Sequence, residues 1–213
     1  MKTNDLIAML ATGAAPVPRR VPTHRLLLAV AVGLPLAVAI VATQYGFRRD
    51  LVEAMFWPML WIKFLFPVCV AWAGFVVVQR LARPGVRVGP AWFGLAAPVL
   101  AIWVMAVVVW FHAPADARPD MLYGQTWRTC AFSIGLISLP TFIAAMVALK
   151  GLAPTRPATA GAAAGAMAAG VGAAIYALHC PELAAPFLAV WYVGGMALVT
   201  AVGAVIGRLT LRW

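Results

Sequence analysis

The chain has 213 residues, of which 64% are hydrophobic and only 10% charged, yet its formal net charge is +10. That composition excludes a disordered chain, which needs low hydrophobicity, and a disulfide-stapled secreted domain, for which three cysteines are too few. It leaves little soluble body on which a nucleic-acid-binding surface could sit, so no direct nucleic-acid binding is expected. A mean hydropathy of +0.94 points instead to an all-α integral membrane protein.

The chain opens on a tail, Met1 to Arg25. Thr3 or Asn4 is suited to cap a short helix whose apolar side is Leu6, Ile7, Met9 and Leu10 and whose stop is Gly13. Asn4, Asp5 and the short apolar run do not fit a signal peptide. Such a helix is too short to be stable alone in water. The stretch Ala14-Ala15-Pro16-Val17-Pro18-Arg19-Arg20-Val21-Pro22 then reads as a stiff tether. Two readings stay open: the helix folds onto a partner's groove, or it lies on anionic lipid beside Arg19, Arg20 and Arg25.

Six stretches reach the roughly 20 apolar residues that cross a bilayer. They run from about Leu26 to Tyr45, Ala54 to Val78, Ala91 to Phe111, Thr129 to Leu149, Ala158 to Leu178 and Ala185 to Ile206. Proline- and glycine-bearing segments separate them, such as Arg83-Pro84-Gly85 and Pro154-Thr155-Arg156-Pro157. The connections are short, so successive helices are expected to pack antiparallel. The division is a tail, residues 1–24, and a six-helix transmembrane bundle, residues 25–213.

Charge sets the sidedness. Lys2, Arg19, Arg20, Arg25, Arg80, Arg83, Arg87, Lys150, Arg156, Arg208 and Arg212 fall on the side of the tail, against Asp5 alone. Arg48, Arg49, Arg118 and Arg128 fall on the other, against Asp50, Glu53, Asp116, Asp120 and Glu182. Loops this short follow the positive-inside rule, so both termini are expected in the cytoplasm. Gly161/Gly165 and Gly203/Gly207 have the spacing of close helix packing, within the bundle rather than in a dimer.

Chemistry-bearing residues are few. The spans hold no paired carboxylates, no His pair at helical spacing and no Ser/His/Asp set, which argues against a membrane hydrolase, a bis-His haem protein or an acid-relay pump. No enzyme activity and no resident cofactor are expected. Lys63 is the ionisable residue inside a span, about 13 Å from Ala54 at 1.5 Å per residue. It is either functional or relieved by snorkelling to the outer face or by a wet crevice. Cys69, mid-span, is expected to pack as a small apolar residue. Cys130 and Cys180 both fall at the outer ends of neighbouring antiparallel helices. Arg128 and His179 beside them would favour the thiolate and its reaction with oxidants or soft metals. Two unrelated interfacial cysteines is the plainer alternative.

The order of several segments resembles the NrsF family of bacterial membrane anti-sigma factors. The residues are Met1-Lys2-Thr3-Asn4-Asp5-Leu6-Ile7-Ala8-Met9-Leu10, Pro16 to Arg20, Trp61 with Lys63, Arg83-Pro84-Gly85, Cys180-Pro181-Glu182, Ala185-Pro186-Phe187, Trp191-Tyr192 and the terminal Arg212-Trp213. The resemblance implies an inner-membrane protein that holds an extracytoplasmic-function sigma factor through Asp5, Leu6, Ile7, Met9 and Leu10. It implies that Cys130 and Cys180, supported by Arg128, His179 and Glu182, sense oxidative or heavy-metal stress, with transient metal binding at the two thiols. Modification of the pair would shift the fourth and fifth helices and release the sigma factor. A small transporter or redox carrier using Lys63, and a scaffold subunit of a larger membrane complex, are the competing classes.

Overall fold

The computed structural model describes residues 3–12 and 20–212. Met1, Lys2, the expected helix stop Gly13, the tether's Ala14 to Arg19 and the terminal Trp213 therefore lie outside the described residues. Among those described, every regular element is helical. Helix α1 spans Thr3–Ala11, and none of its residues is buried. It is already helical at Thr3, so Thr3 and Asn4 lie within the described helix and do not flank it. Its end is held by Thr12, whose hydroxyl donates to the Met9 carbonyl at 2.7 Å.

Helix α2 covers Val21–Ile40, with Pro22 in its first turn, and continues through a π-helical turn, Val41–Tyr45. A short helix α3, Leu51–Ala54, precedes α4, Pro58–Leu81. The second apolar stretch thus begins at Pro58 and not at Ala54. Trp57 is extended, and the missing N–H of Pro58 is harmless at a helix start. Helix α5 is Ala91–His112. The segment between the third and fourth apolar stretches contains a further helix, α6, Arg118–Tyr123. Then follow α7, Trp127–Lys150, and α8, Pro157–Tyr176. A single turn α9, Ala185–Phe187, and a second π-helical turn, Leu188–Tyr192, lead into α10, Val193–Thr210.

Six of these helical stretches are long and apolar enough to cross a membrane, in close accord with the six read from the sequence. The reason α8 takes the centre is its composition. An Ala- and Gly-rich helix has no broad polar face and little side-chain bulk, so neighbouring backbones approach closely. A Cβ on Gly74 of α4 would lie 2.7 Å from the Met167 backbone nitrogen, and one on Gly170 would lie 2.5 Å from that of Ala71. On the opposite side, Gly161 and Gly207 interlock: a Cβ on either would come within 2.8 Å of the other's Cα. The two small-residue spacings therefore serve α8–α10 packing inside the chain.

Two apolar clusters divide the interior. One holds Leu26, Leu81, Leu149, Ala160 and Leu211, from the ends of α2, α4, α7, α8 and α10. The other holds Val41, Phe66, Cys130, Tyr176, Cys180 and Tyr192, from the opposite ends. That pairing is what antiparallel neighbours require. Prolines interrupt α2, α4, α5 and α7 at Pro35, Pro67, Pro98 and Pro140, whereas α8 and α10 carry none inside. Cys69 corrects one expectation: it lies on the exposed face of α4 and not in the interior, since the inward face there is taken by Phe66, Pro67 and Val70.

Candidate functional site

The second cluster contains the corner where α8 turns into α9. Cys180 follows the last turn of α8, its N–H donating to the Tyr176 carbonyl at 3.0 Å. Cys130 sits in the first turn of α7 and donates its N–H to the Thr126 carbonyl, also at 3.0 Å. Both cysteines are free and fully buried. Thr126 touches both, because its hydroxyl lies 3.7 Å from the Cys180 sulfur. The two thiols and the Lys63 ammonium are mutual electrostatic neighbours.

Lys63 is the residue that organises this corner. Because α4 starts at Pro58, Lys63 is only about 7.5 Å into the helix at 1.5 Å per residue. Its side chain is nevertheless fully buried, so it neither snorkels outward nor faces a wet crevice. Its Nζ donates to the Cys180 carbonyl at 2.6 Å and to the Glu182 carbonyl at 2.7 Å. The ammonium also lies 5.2 Å from the centre of the Tyr192 ring. A buried cation is tolerable only when its protons are satisfied, and two carbonyls with a ring face supply that. The Tyr192 hydroxyl is buried with no hydrogen-bond partner among the described residues.

Glu182 carries the connection onward. Its backbone is held by Lys63, while its carboxylate accepts from the Gln125 N–H at 2.7 Å. The turn that presents this N–H requires Gly124, whose φ is +50° and where an added Cβ would fall on the Glu182 carboxylate. Trp191 donates its indole N–H to the Leu122 carbonyl at 2.8 Å, fixing α6 on the same corner.

Each of the two cations expected beside the cysteines has a contact of its own. The exposed Arg128 guanidinium lies 5.2 Å from the Trp127 ring. The His179 ring pairs with the Gly46 carbonyl at 2.8 Å and packs on Tyr45 and Tyr176. It joins the end of α8 to the segment after α2. Arg48 reinforces the joint: its N–H donates to the Leu178 carbonyl at 3.0 Å, and its guanidinium grips Asp50 through two bonds of 2.8 and 2.6 Å. That grip holds the Asp50 carboxyl below the ordinary carboxylate range and raises Arg48.

Asp5, Leu6, Ile7, Met9 and Leu10 lie far from this corner in the chain, on α1, and all five are exposed. The root of α2 is tied down: Gln79 and Arg83 of the α4 end reach the Thr23 hydroxyl, and Arg25 donates to the Gly151 carbonyl at 2.9 Å. Helix α4 therefore touches the cysteine corner at Lys63 and the start of α2 at Gln79.

A family profile described as "NrsF: Negative regulator of sigma F" matches residues 10–213. The chain belongs to the NrsF family. It is 42% identical to the probable anti-sigma-F factor NrsF of Azospira oryzae (strain ATCC BAA-33 / DSM 13638 / PS), over the full length of both chains. It is 36% identical, again over both full lengths, to the anti-sigma-F factor NrsF of Caulobacter vibrioides (strain NA1000 / CB15N). No solved structure matches. Membership in the NrsF family assigns a regulatory role and not an enzymatic one. The fold adds Gly124, Gln125, Thr126 and Tyr176 to the site, residues that carry no local sequence signal. A Tyr-Gly-Gln turn before a span gives no sign that it meets Glu182, which lies 57 residues on from Gln125.

Proposed function

We propose that the chain is an inner-membrane anti-sigma factor that holds an extracytoplasmic-function sigma factor and releases it when Cys130 and Cys180 are modified. The NrsF relatives, named as anti-sigma-F factors over their full lengths, support the partner class. The charge asymmetry supports cytoplasmic termini, which puts α1 in the sigma factor's compartment and the cysteine corner near the periplasm. The tail, residues 1–24, is the binding segment, and Leu6, Ile7, Met9 and Leu10 offer the apolar anchors of a helix that folds onto a groove. Residues 25–213 are the membrane domain.

The observation that carries the sensing reading is that a single segment, Cys180-Pro181-Glu182, meets Lys63 of α4 and Gln125 before α7. Two soft donors suit a thiophilic metal ion, each thiol losing a proton on binding. They also suit oxidation by a peroxide: one thiol takes an oxygen as a sulfenic acid, and the second displaces water to form the disulfide. Either change pulls Cys180 towards Cys130 and loosens its carbonyl from Lys63. Helix α4 carries the displacement to Gln79, Thr23 and the root of the tail. This makes α4, the second span, and α7, the fourth, the moving parts, where the sequence reading named the fourth and fifth spans.

Purification from membranes in detergent, with identification of a co-purifying sigma factor, tests the partner; a transporter or scaffold subunit would bring none. Cys130→Ser and Cys180→Ser each test sensing. Loss of oxidant or cadmium induction of sigma-dependent transcription is expected in both, and normal induction in both overturns it.

A further inference from the structure

At the other end of the molecule, the connections α4–α5 and α7–α8 enclose a crevice of about 420 Å³. Arg83 and Arg87 come from the first connection, Thr155 and Arg156 from the second, and Trp92 from the first turn of α5. None of its lining residues is acidic. Its shape is fixed by the fold. Gly85 and Gly89 take φ of +79° and +57°, which side-chain-bearing residues rarely adopt. The Arg80 guanidinium clasps the Val88 carbonyl at 2.6 Å. The Arg83 Nε is buried and has no partner among the described residues, a donor left over beside the crevice. Arg87 and Arg156 are exposed at its mouth. The positive end of the 20-residue α8 begins at Arg156.

Guanidinium groups that line one crevice repel one another unless an anion sits between them, and their planar forks match the oxygens of a phosphate. The same lining also includes the apolar Leu81, Val86, Val88 and Trp92. The ligand that fits carries a phosphate joined to an apolar body. The crevice lies where α4 ends and α5 begins, at the depth of lipid headgroups if these helices span the membrane. We infer that Arg83, Arg87 and Arg156 form a phosphate site whose occupant is the headgroup of an anionic phospholipid. The inference rests on the membrane-spanning reading but not on the sensing one.

The test uses the full chain, delipidated in detergent and titrated with phosphatidylglycerol while bound lipid is counted by native mass spectrometry. Arg87→Gln/Arg156→Gln spares Arg83, which also contacts Thr23. Arg208→Gln/Arg212→Gln removes the same charge from two exposed positions elsewhere on the basic side. The site predicts about tenfold weaker lipid retention in the first variant and unchanged retention in the second. Equal retention in all three proteins, or equal loss in both variants, overturns it. Inorganic phosphate, added to protein in phosphatidylcholine nanodiscs, separates the sources. A rise in melting temperature that needs Arg87 and Arg156 assigns the same site to a free phosphate, and no rise leaves the lipid headgroup as occupant. Incorporation into the discs, scored first, tests the spanning reading separately.

Discussion

The Lys63 ammonium donates to the Cys180 carbonyl at 2.6 Å, across 117 residues of sequence. One charge on α4 thereby holds in place the backbone of a buried cysteine on a different helix corner. Replacing Lys63 with Met removes the charge and leaves the Cys180 and Glu182 carbonyls without their donor. The expected cost is about 1–3 kcal/mol, read as a lower melting temperature in detergent. The expected functional outcome is faster maleimide labelling of Cys180 and raised sigma-dependent transcription without stress. Lys63→Arg should restore part of both. Unchanged labelling in Lys63→Met would remove Lys63 from the corner's control.

Gly124 offers a test on the other side of the same segment. Ala at this position meets two obstacles, a φ of +50° and the Glu182 carboxylate. Gly124→Ala should destabilise by about 1–3 kcal/mol. Glu182→Gln keeps the shape and one acceptor oxygen, so it should cost less. A melting series of the two variants in detergent checks the order, and a milder Gly124→Ala contradicts the packing described.

The Arg48–Asp50 grip predicts a pH dependence. The Asp50 carboxyl is held below its ordinary value, so its contribution is complete above the unfolded carboxylate range, about 3.9. It is lost as pH falls through the lowered folded value. Melting temperatures of the wild type should therefore drop towards those of Asp50→Asn as pH is taken well below 4, and the two should differ by a constant amount near neutrality.

The tail makes the clearest partner prediction. Leu6→Asp or Leu10→Asp places a charge where a groove expects an apolar anchor, while α1 has no buried residue to disturb. Co-purification of the sigma factor should fall at least tenfold and its target genes should be expressed without stress. The protein's own melting temperature should not change.

How much of this is legible in the sequence differs from residue to residue. The six long apolar helices can be read because hydropathy is a property of each segment by itself. The burial of Lys63 cannot. Hydropathy runs on unbroken from Ala54 through Pro58, so the restart at Pro58 moves Lys63 four residues nearer its helix start than the apolar run implies. Nothing local shows that Cys180 and Glu182 supply its acceptors. Topology alone assigns Cys130 and Cys180 to the same end, whereas the bond from His179 to the Gly46 carbonyl does not follow from its position beside Cys180. Gly46 lies 133 residues from His179, and only the fold brings the two together.

The contrast between α8, which has no proline inside it, and its proline-interrupted neighbours α4 and α7 has a mechanical consequence. Helix α8 meets α4 and α10 backbone to backbone, so sliding past it would force glycines over glycines and lose contact along its whole length. Its neighbours α4 and α7 lack one internal hydrogen bond each, at Pro67 and Pro140. The bond missing at Pro67 is the one that the Lys63 carbonyl would accept. Helix α4 is therefore softest in bending beside the residue that grips the cysteine corner. The molecule has a stiff axle and jointed spokes, and a displacement that starts at Lys63 finds its hinge a single turn away.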